Sequence, residues 1–305
     1  MAGVNLQSRF LPVARRVAPE ARLRGVRRLL GGMSAEITVL ELEHPDGRAE
    51  GLVVREYGTK NLAADRHPAG TETELLRQLA DHGLPVPTPR YADDTGDLLG
   101  GPFCVIDFID ADPPPPTWSA AVADQFVELL AQLHRLPPGP ALDRLGRYAD
   151  KVDRWLAAAP EQPDESMRET LIRNRLGAWW PRHNEHPARI LHGDIWPGNT
   201  LWHGNRMVVA IDWEDAAVGD PRSDLANLRM ELVWAYGVDA AEDFTRRYAA
   251  ARAGELDLDG LPYWDLVAAR RPVGRLGEWG LDPRRLDRHL ARFQGFVDRA
   301  LDRIG

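Results

Sequence analysis

The chain has 305 residues, 44% of them apolar, enough for one large domain or two smaller ones with a real core. A formal net charge of −8 argues against a general nucleic-acid binder, and the seven arginines against one glutamate in the first thirty residues read as a solvated helix face rather than a transit peptide. The single cysteine, Cys104, excludes an internal disulfide, and no stretch suits a signal peptide or a membrane span, so a soluble cytoplasmic protein with no membrane partner is expected.

Asn5 to Val17 carries Leu6, Phe10, Val13 and Val17 at helical spacing, which predicts a short packing helix. Val26 to Leu30, the turn 31–36 (GGMSAE) and Ile37 to Leu42 read as strand, tight turn and strand. Glycines such as Gly32 let backbone amides approach an anion closely, and Ser34 adds a hydroxyl donor. After the turn His44-Pro45-Asp46-Gly47, Gly51 to Tyr57 reads as a third strand bearing Arg55. Thr71 to His82 places Leu75, Leu76 and Leu79 on one helical face and stops at Gly83. Tyr91 to Asp94 and Pro102 to Ile109 complete an antiparallel sheet.

Asp112 followed by Pro113 to Pro116 is a stiff breaker, beyond which helical periodicity replaces strand alternation, so a domain of 1–109 is expected to give way to one of 110–305. Ala120 to Leu136 lines up Val122, Phe126, Leu129 and Leu133, and its His134 reads as structural. Further helices are predicted near 145–158, 165–180, 221–236, 239–253 and 262–270. A last one, Pro283 to Ile304, has Leu286, Leu290, Phe293, Val297, Leu301 and Ile304 as its core stripe.

Between these helices lies the chemistry. His192-Gly193-Asp194 is followed by Asn199, then by Thr200-Leu201-Trp202, a turn at His203 to Arg206, an apolar run from Met207, and Ile211-Asp212-Trp213-Glu214. The hairpin so formed can bring Asn199 and Asp212 together. Two carboxylates and an amide oxygen are the donor types that phosphoryl transfer needs: one acid for an acceptor hydroxyl, and hard oxygen ligands for Mg²⁺.

The order H-G-D-x4-N at 192–199, I-D-W-E at 211–214 and G-D-P-x2-D-L-A at 219–226 resembles the aminoglycoside phosphotransferase and choline kinase-like family of small-molecule kinases. The resemblance implies an α+β, bilobal protein-kinase-like fold with an antiparallel sheet lobe carrying one key helix and a larger, mainly helical C-terminal lobe. It implies Asp194 as catalytic base, Asn199 and Asp212 as Mg²⁺ ligands, and His192 bracing the loop with Asp224 as its partner. ATP or GTP would be the donor, cradled by the loop of Gly32 and Ser34. Arg55 would contact its phosphates and be held by Glu72, with Glu74 second, or else Lys60 would supply the basic group. The hinge would offer backbone groups of Asp107 and Ile109 to a purine, which leaves ATP against GTP unreadable.

The acceptor side carries no motif. Ten tryptophans are many for this length, and Trp196 and Trp234, with the acids Glu231 and Glu278, are the candidates for contact with a small acceptor. The expectation is a kinase acting on a hydroxyl of an aminoglycoside-type or other antibiotic. The alternatives are a metabolic kinase for an amino sugar, amino alcohol or similar acceptor, and a catalytically dead nucleotide-binding module.

Overall fold

The computed structural model describes residues 6–29, 35–136, 144–180 and 187–304. The expected phosphate loop, with Gly32 and Ser34, lies outside them. The chain divides into two compact units: Met1–Ala111 with Gly139–Arg144 and Val209–Glu214, and Asp112–Pro138 with Leu145–Val208 and Asp215–Gly305.

In the first unit, strands β1 (Arg22–Leu29), β2 (Ala35–Glu43), β3 (Ala49–Tyr57), β4 (Pro89–Asp93) and β5 (Phe103–Asp107) form an antiparallel sheet ordered β1-β2-β3-β5-β4. Alternation along β3 decides what each face carries. Leu52 and Val54 join Leu40, Leu42, Phe103 and Val105 in a core sealed by Phe10 and Val13 of helix α1 (Leu6–Val17). On the same face, Glu56 accepts from Arg9 of that helix at 3.0 Å. Arg55 and Tyr57, out of phase with these, share the opposite face with Cys104, beside helix α3 (Pro68–Asp81).

Helix α3 starts three residues earlier than its periodicity predicts because Pro68 fits a first turn and Asp94 accepts from the amides of Ala69 and Gly70, at 3.0 and 2.9 Å. It ends at Gly83, whose φ of +78° is the left-handed stop a glycine takes without strain. A short helix α2 (Thr59–Ala64), for which the sequence offers no periodic signal, follows β3.

The second unit is helical: α4 (Ala120–Leu133), α5 (Tyr148–Ala157), α6 (Glu169–Trp179), α7 (Arg222–Ala235), α8 (Val238–Ala251), α9 (Leu261–Ala269) and α10 (Pro283–Ile304). Helix α4 begins on Ser119, whose hydroxyl accepts from the Val122 amide, and buries the expected stripe of Val122, Phe126, Leu129 and Leu133. Helix α10 departs from its predicted face: Phe296 and Ala300 are buried with Phe293 and Val297, while Leu286, Leu290, Leu301 and Ile304 are half-buried. Two short ladders interrupt the helices, β6 (Arg189–Leu191) with β9 (Ala217–Gly219), and β7 (Thr200–His203) with β8 (Arg206–Ala210). Among the described residues no helix is long and apolar enough to cross a membrane.

Candidate active site

The H-G-D loop at 192–194 follows β6. Gly193 has a φ of +78°, and a Cβ there would lie 2.0 Å from the carbonyl oxygen of Asp215, so no other residue fits the turn. One face of α7 carries the loop, through residues spaced three and four apart. Asp224, buried at its first turn, accepts from the amides of His192 and Gly193 at 2.7 and 2.9 Å. Asn227 donates to the Ile195 carbonyl at 2.8 Å.

Burial alone would raise the Asp224 carboxyl, but the hydrogen bond and charge of His134, with the charge of His192 and the Gly193 amide, hold it below the usual carboxylate range. Asp224 thus accepts from the backbone of the loop, and the His134 imidazole lies 3.3 Å from it. His134 in turn meets the Tyr248 hydroxyl at 2.6 Å, which makes it the structural residue its sequence context suggests. The His192 ring acts within the loop, where its Nδ1 accepts from the Asp194 amide at 3.3 Å.

The Asp194 carboxylate is fixed on both oxygens. Asn199 donates through Nδ2 to the Asp194 carbonyl at 2.8 Å and to its Oδ2 at 3.2 Å. Arg271, two residues past α9, donates to Oδ1 and to the Gly193 carbonyl. Glu231, on the same face of α7 and half-buried, feels this cluster: burial first, and then the Asp194 charge, push its carboxyl up to about 8, against the pull of Arg271. Sequence reasoning missed Arg271 and Asn227, which belong to no motif.

The other acceptor candidates separate. Trp196 is 41% exposed and its ring lies on Gly198, where a Cβ would come within 2.1 Å of it. Trp234 is buried instead, donating to the His289 carbonyl at 3.0 Å with its ring edge-on to Trp279, so it packs rather than presents a face. Glu278 is exposed on a short turn, Leu276–Trp279.

In the first unit, Arg55 is the centre of a second cluster. Its Nη2 donates to Asp212 at 2.6 Å and to Glu214 at 2.7 Å, while Glu72 lies 3.6 Å from its Nε. Glu72 is buried and its Oε2 accepts from the Tyr57 hydroxyl at 2.7 Å. The expected Arg55–Glu72 pair is thus the longest of three, because Tyr57 and the two acids of I-D-W-E take the closer positions. Glu74 points elsewhere, to Arg144 at 3.2 Å.

Burial would lower the Arg55 pKa, but Glu72, Asp212 and Glu214 more than offset it and keep the guanidinium charged. Burial pushes the Glu72 carboxyl up, against the opposing effects of Arg55 and Tyr57. Asp212 has a φ of +67°, a conformation that an aspartate adopts at some cost and that clusters at functional sites. At the expected hinge, the Asp107 amide is committed to the Thr88 carbonyl at 3.0 Å and the Phe108 amide to that of Gly51 at 3.0 Å. Any contact of Asp107 with a purine would fall to its carbonyl.

Three carboxylates around one guanidinium leave the Arg55 cluster with surplus negative charge, and Asn199, its amide nitrogen spent on Asp194, keeps its oxygen as a donor. Carboxylate and amide oxygens are each of the donor type that a hard divalent cation takes. Among the described residues no group of three or more His, Cys, Asp or Glu could hold a metal alone, and an Mg²⁺ bound partly through substrate phosphates requires none.

A five-stranded antiparallel unit with one buried Glu-bearing helix, followed by a helical unit with a braced H-G-D loop, is the architecture of a protein-kinase-like fold. The solved GDP complex of wild-type aminoglycoside 2'-phosphotransferase-IIIa has the same fold, with a TM-score of 0.68 and 21% identity, covering 97% of this chain and 99% of that one. The chain belongs to the phosphotransferase enzyme family, whose model matches residues 26–265. Homoserine kinase of Brucella canis is 26% identical over 233 residues, 67% of each chain. Acyl-CoA dehydrogenase family member 10 of Mus musculus is 25% identical over 189 residues, 57% of this chain. The chain spans only 18% to 26% of the length of the acyl-CoA dehydrogenase family relatives that it matches.

Proposed function

We propose that the protein moves the γ-phosphoryl group of ATP or GTP to a hydroxyl of a small molecule, with Asp194 as the base that accepts the hydroxyl proton. The observation that carries this reading is the fixed Asp194 carboxylate, held by Asn199 and Arg271 on a loop whose amides are bound by Asp224. Such a loose transition state asks the protein for position and charge more than for covalent chemistry. Asn199 and Asp212 are the proposed ligands of Mg²⁺, which would neutralise phosphate charge when bound. Arg55 and Glu72 are the proposed phosphate contact and its support, and the enzyme would work in the cytoplasm, where nucleoside triphosphates are held.

For the acceptor, the first reading is an aminoglycoside-type or other antibiotic, making the enzyme a resistance factor. It is supported by exposed Trp196 and by Glu231, a carboxyl that an incoming ammonium would ionise. A small metabolic acceptor such as an amino alcohol is the second reading, favoured by the match to homoserine kinase over two thirds of both chains.

Mg²⁺-dependent hydrolysis of ATP and GTP, followed by a screen of aminoglycosides, macrolides, amino sugars and amino alcohols for stimulated turnover, tests both. Asp194→Asn should lower kcat by about 10²–10⁴-fold while sparing nucleotide binding. A variant that turns over like wild type would remove Asp194 from this role.

A further inference from the structure

We infer that Arg271 is a positioning residue for the reaction: it clamps the carboxylate of Asp194 to the backbone of its own loop and so sets the direction from which the acceptor hydroxyl is met. The inference rests on the reading of Asp194 as the base.

One guanidinium makes both contacts. Nη1 takes the Gly193 carbonyl and Nη2 takes Asp194 Oδ1, so the planar fork ties a side chain with rotational freedom to a backbone that has none. That backbone is rigid for reasons already given, the left-handed Gly193 against Asp215 and the two amides on Asp224. Asn199 reaches Oδ2 at 3.2 Å, at the long end of the hydrogen-bond range, while Oδ1 is taken by Arg271.

Arg271 is itself held from several directions. The charges of Asp194, Tyr148, Asp215 and Glu231 together outweigh the effect of its burial and keep it a cation. Its neighbour Arg270 provides the contrast, because it is packed over the Tyr148 ring at 5.6 Å.

The step served is ordinary general-base catalysis. The acceptor hydroxyl gives its proton to Asp194, its oxygen forms the bond to phosphorus, and the bond to the nucleoside diphosphate breaks. Arg271 touches neither phosphate nor acceptor in this scheme. It acts through Asp194, where a displacement of about 1 Å is enough to cost on the order of 10²-fold in rate.

The experiment uses Mg²⁺-ATP and Mg²⁺-GTP hydrolysis by the full chain, with water as the acceptor, in four variants. Arg271→Ala should lower kcat by about 10–100-fold with the nucleotide KM changed less than about twofold, and added guanidinium ion should restore turnover several-fold. Arg271→Lys, which reaches one of the two acceptors, should fall about 10-fold. Arg270→Met should keep kcat and show no response to guanidinium.

Wild-type turnover in Arg271→Lys overturns the inference, and this variant decides the matter if Arg271→Ala does not fold. Equal losses in Arg270→Met and Arg271→Ala, neither rescued by guanidinium, also overturn it in favour of a packing role. Asp194→Asn separates the two levels of argument. If it abolishes hydrolysis while the Arg271 variants are normal, the base stands and the clamp falls; if it turns over normally, the base reading itself has failed.

Discussion

The guanidinium of Arg55 donates at 2.6 Å to Asp212, the carboxylate proposed to hold Mg²⁺, although the two are 157 residues apart in the chain. Its second bond, to Glu214 at 2.7 Å, and its proximity to buried Glu72 set one guanidinium among three carboxylates. Arg55→Met would leave three carboxylates facing one another. It should destabilise the fold by about 2–4 kcal/mol, the cost of stranding a buried charge, and weaken nucleotide binding. Arg55→Lys should recover part of both, since an ammonium cannot serve Asp212 and Glu214 with the same geometry. Thermal unfolding and nucleotide titration of the two variants check this. Effects within about 0.5 kcal/mol in both would remove Arg55 from the phosphate-binding role and move attention to Lys60.

Asp212 and Asn199 should respond to metal rather than to acceptor. Asp212→Ala is expected to abolish the Mg²⁺-dependent part of nucleotide affinity, because a carboxylate ligand is lost and Arg55 loses a partner. Asn199→Ala should act in the same direction but less, a neutral oxygen being the weaker ligand, and should also loosen Asp194. Calorimetric titration with and without Mg²⁺ reads both, and unchanged affinity in Asp212→Ala would contradict the assignment.

What the sequence made legible is what is local. Alternation along β3 put Arg55 on the face away from Leu52 and Val54, and the turn signal at His203 to Arg206 marked the β7–β8 hairpin. Helical spacing found α4 to α9 within a few residues of their observed ends. What stayed hidden depends on distant chain. Arg271 reaches Asp194 from 77 residues away, on a segment with no repeating pattern, and its neighbour Arg270 has the same sequence character and a different environment. Trp234 looked like an acceptor contact because of its position on α7, but helix α10, which supplies His289 to accept its N–H, turned it into packing.

Asp224 offers a test of the brace beneath the catalytic loop. It accepts two amides with two oxygens, so Asp224→Asn keeps one acceptor and sets an NH₂ against the other amide. With the site fully buried, the expected loss is about 2–4 kcal/mol of stability, accompanied by a fall in kcat as Gly193 and Asp194 shift. Urea unfolding and turnover measured on one preparation check it. A variant as stable as wild type would mean that His134 and Tyr248, and not the loop amides, are what Asp224 is there to hold.

Glu231 should make the fold pH-dependent in a direction opposite to that of most acids. Its carboxyl is raised from an ordinary 4.5 to about 8 by burial and by Asp194, so in the fold it keeps a proton that the unfolded chain has already released. Its contribution favours the fold below about pH 4.5 and is lost as pH rises towards 8. Glu231→Gln removes that loss. The variant should match wild type at pH 5 and exceed it by about 1–2 kcal/mol at pH 8, a figure reduced for the partial solvent exposure of the side chain. Because Glu231 is the proposed acid for a cationic acceptor, the same variant should raise the acceptor KM while leaving nucleotide binding alone, an exchange of binding for stability. Thermal unfolding of both proteins at pH 5 and pH 8 decides the first point. If the difference between them does not grow with pH, Glu231 is ionised throughout, and the cluster of Asp194, Arg271 and Glu231 is more open to water than its packing indicates.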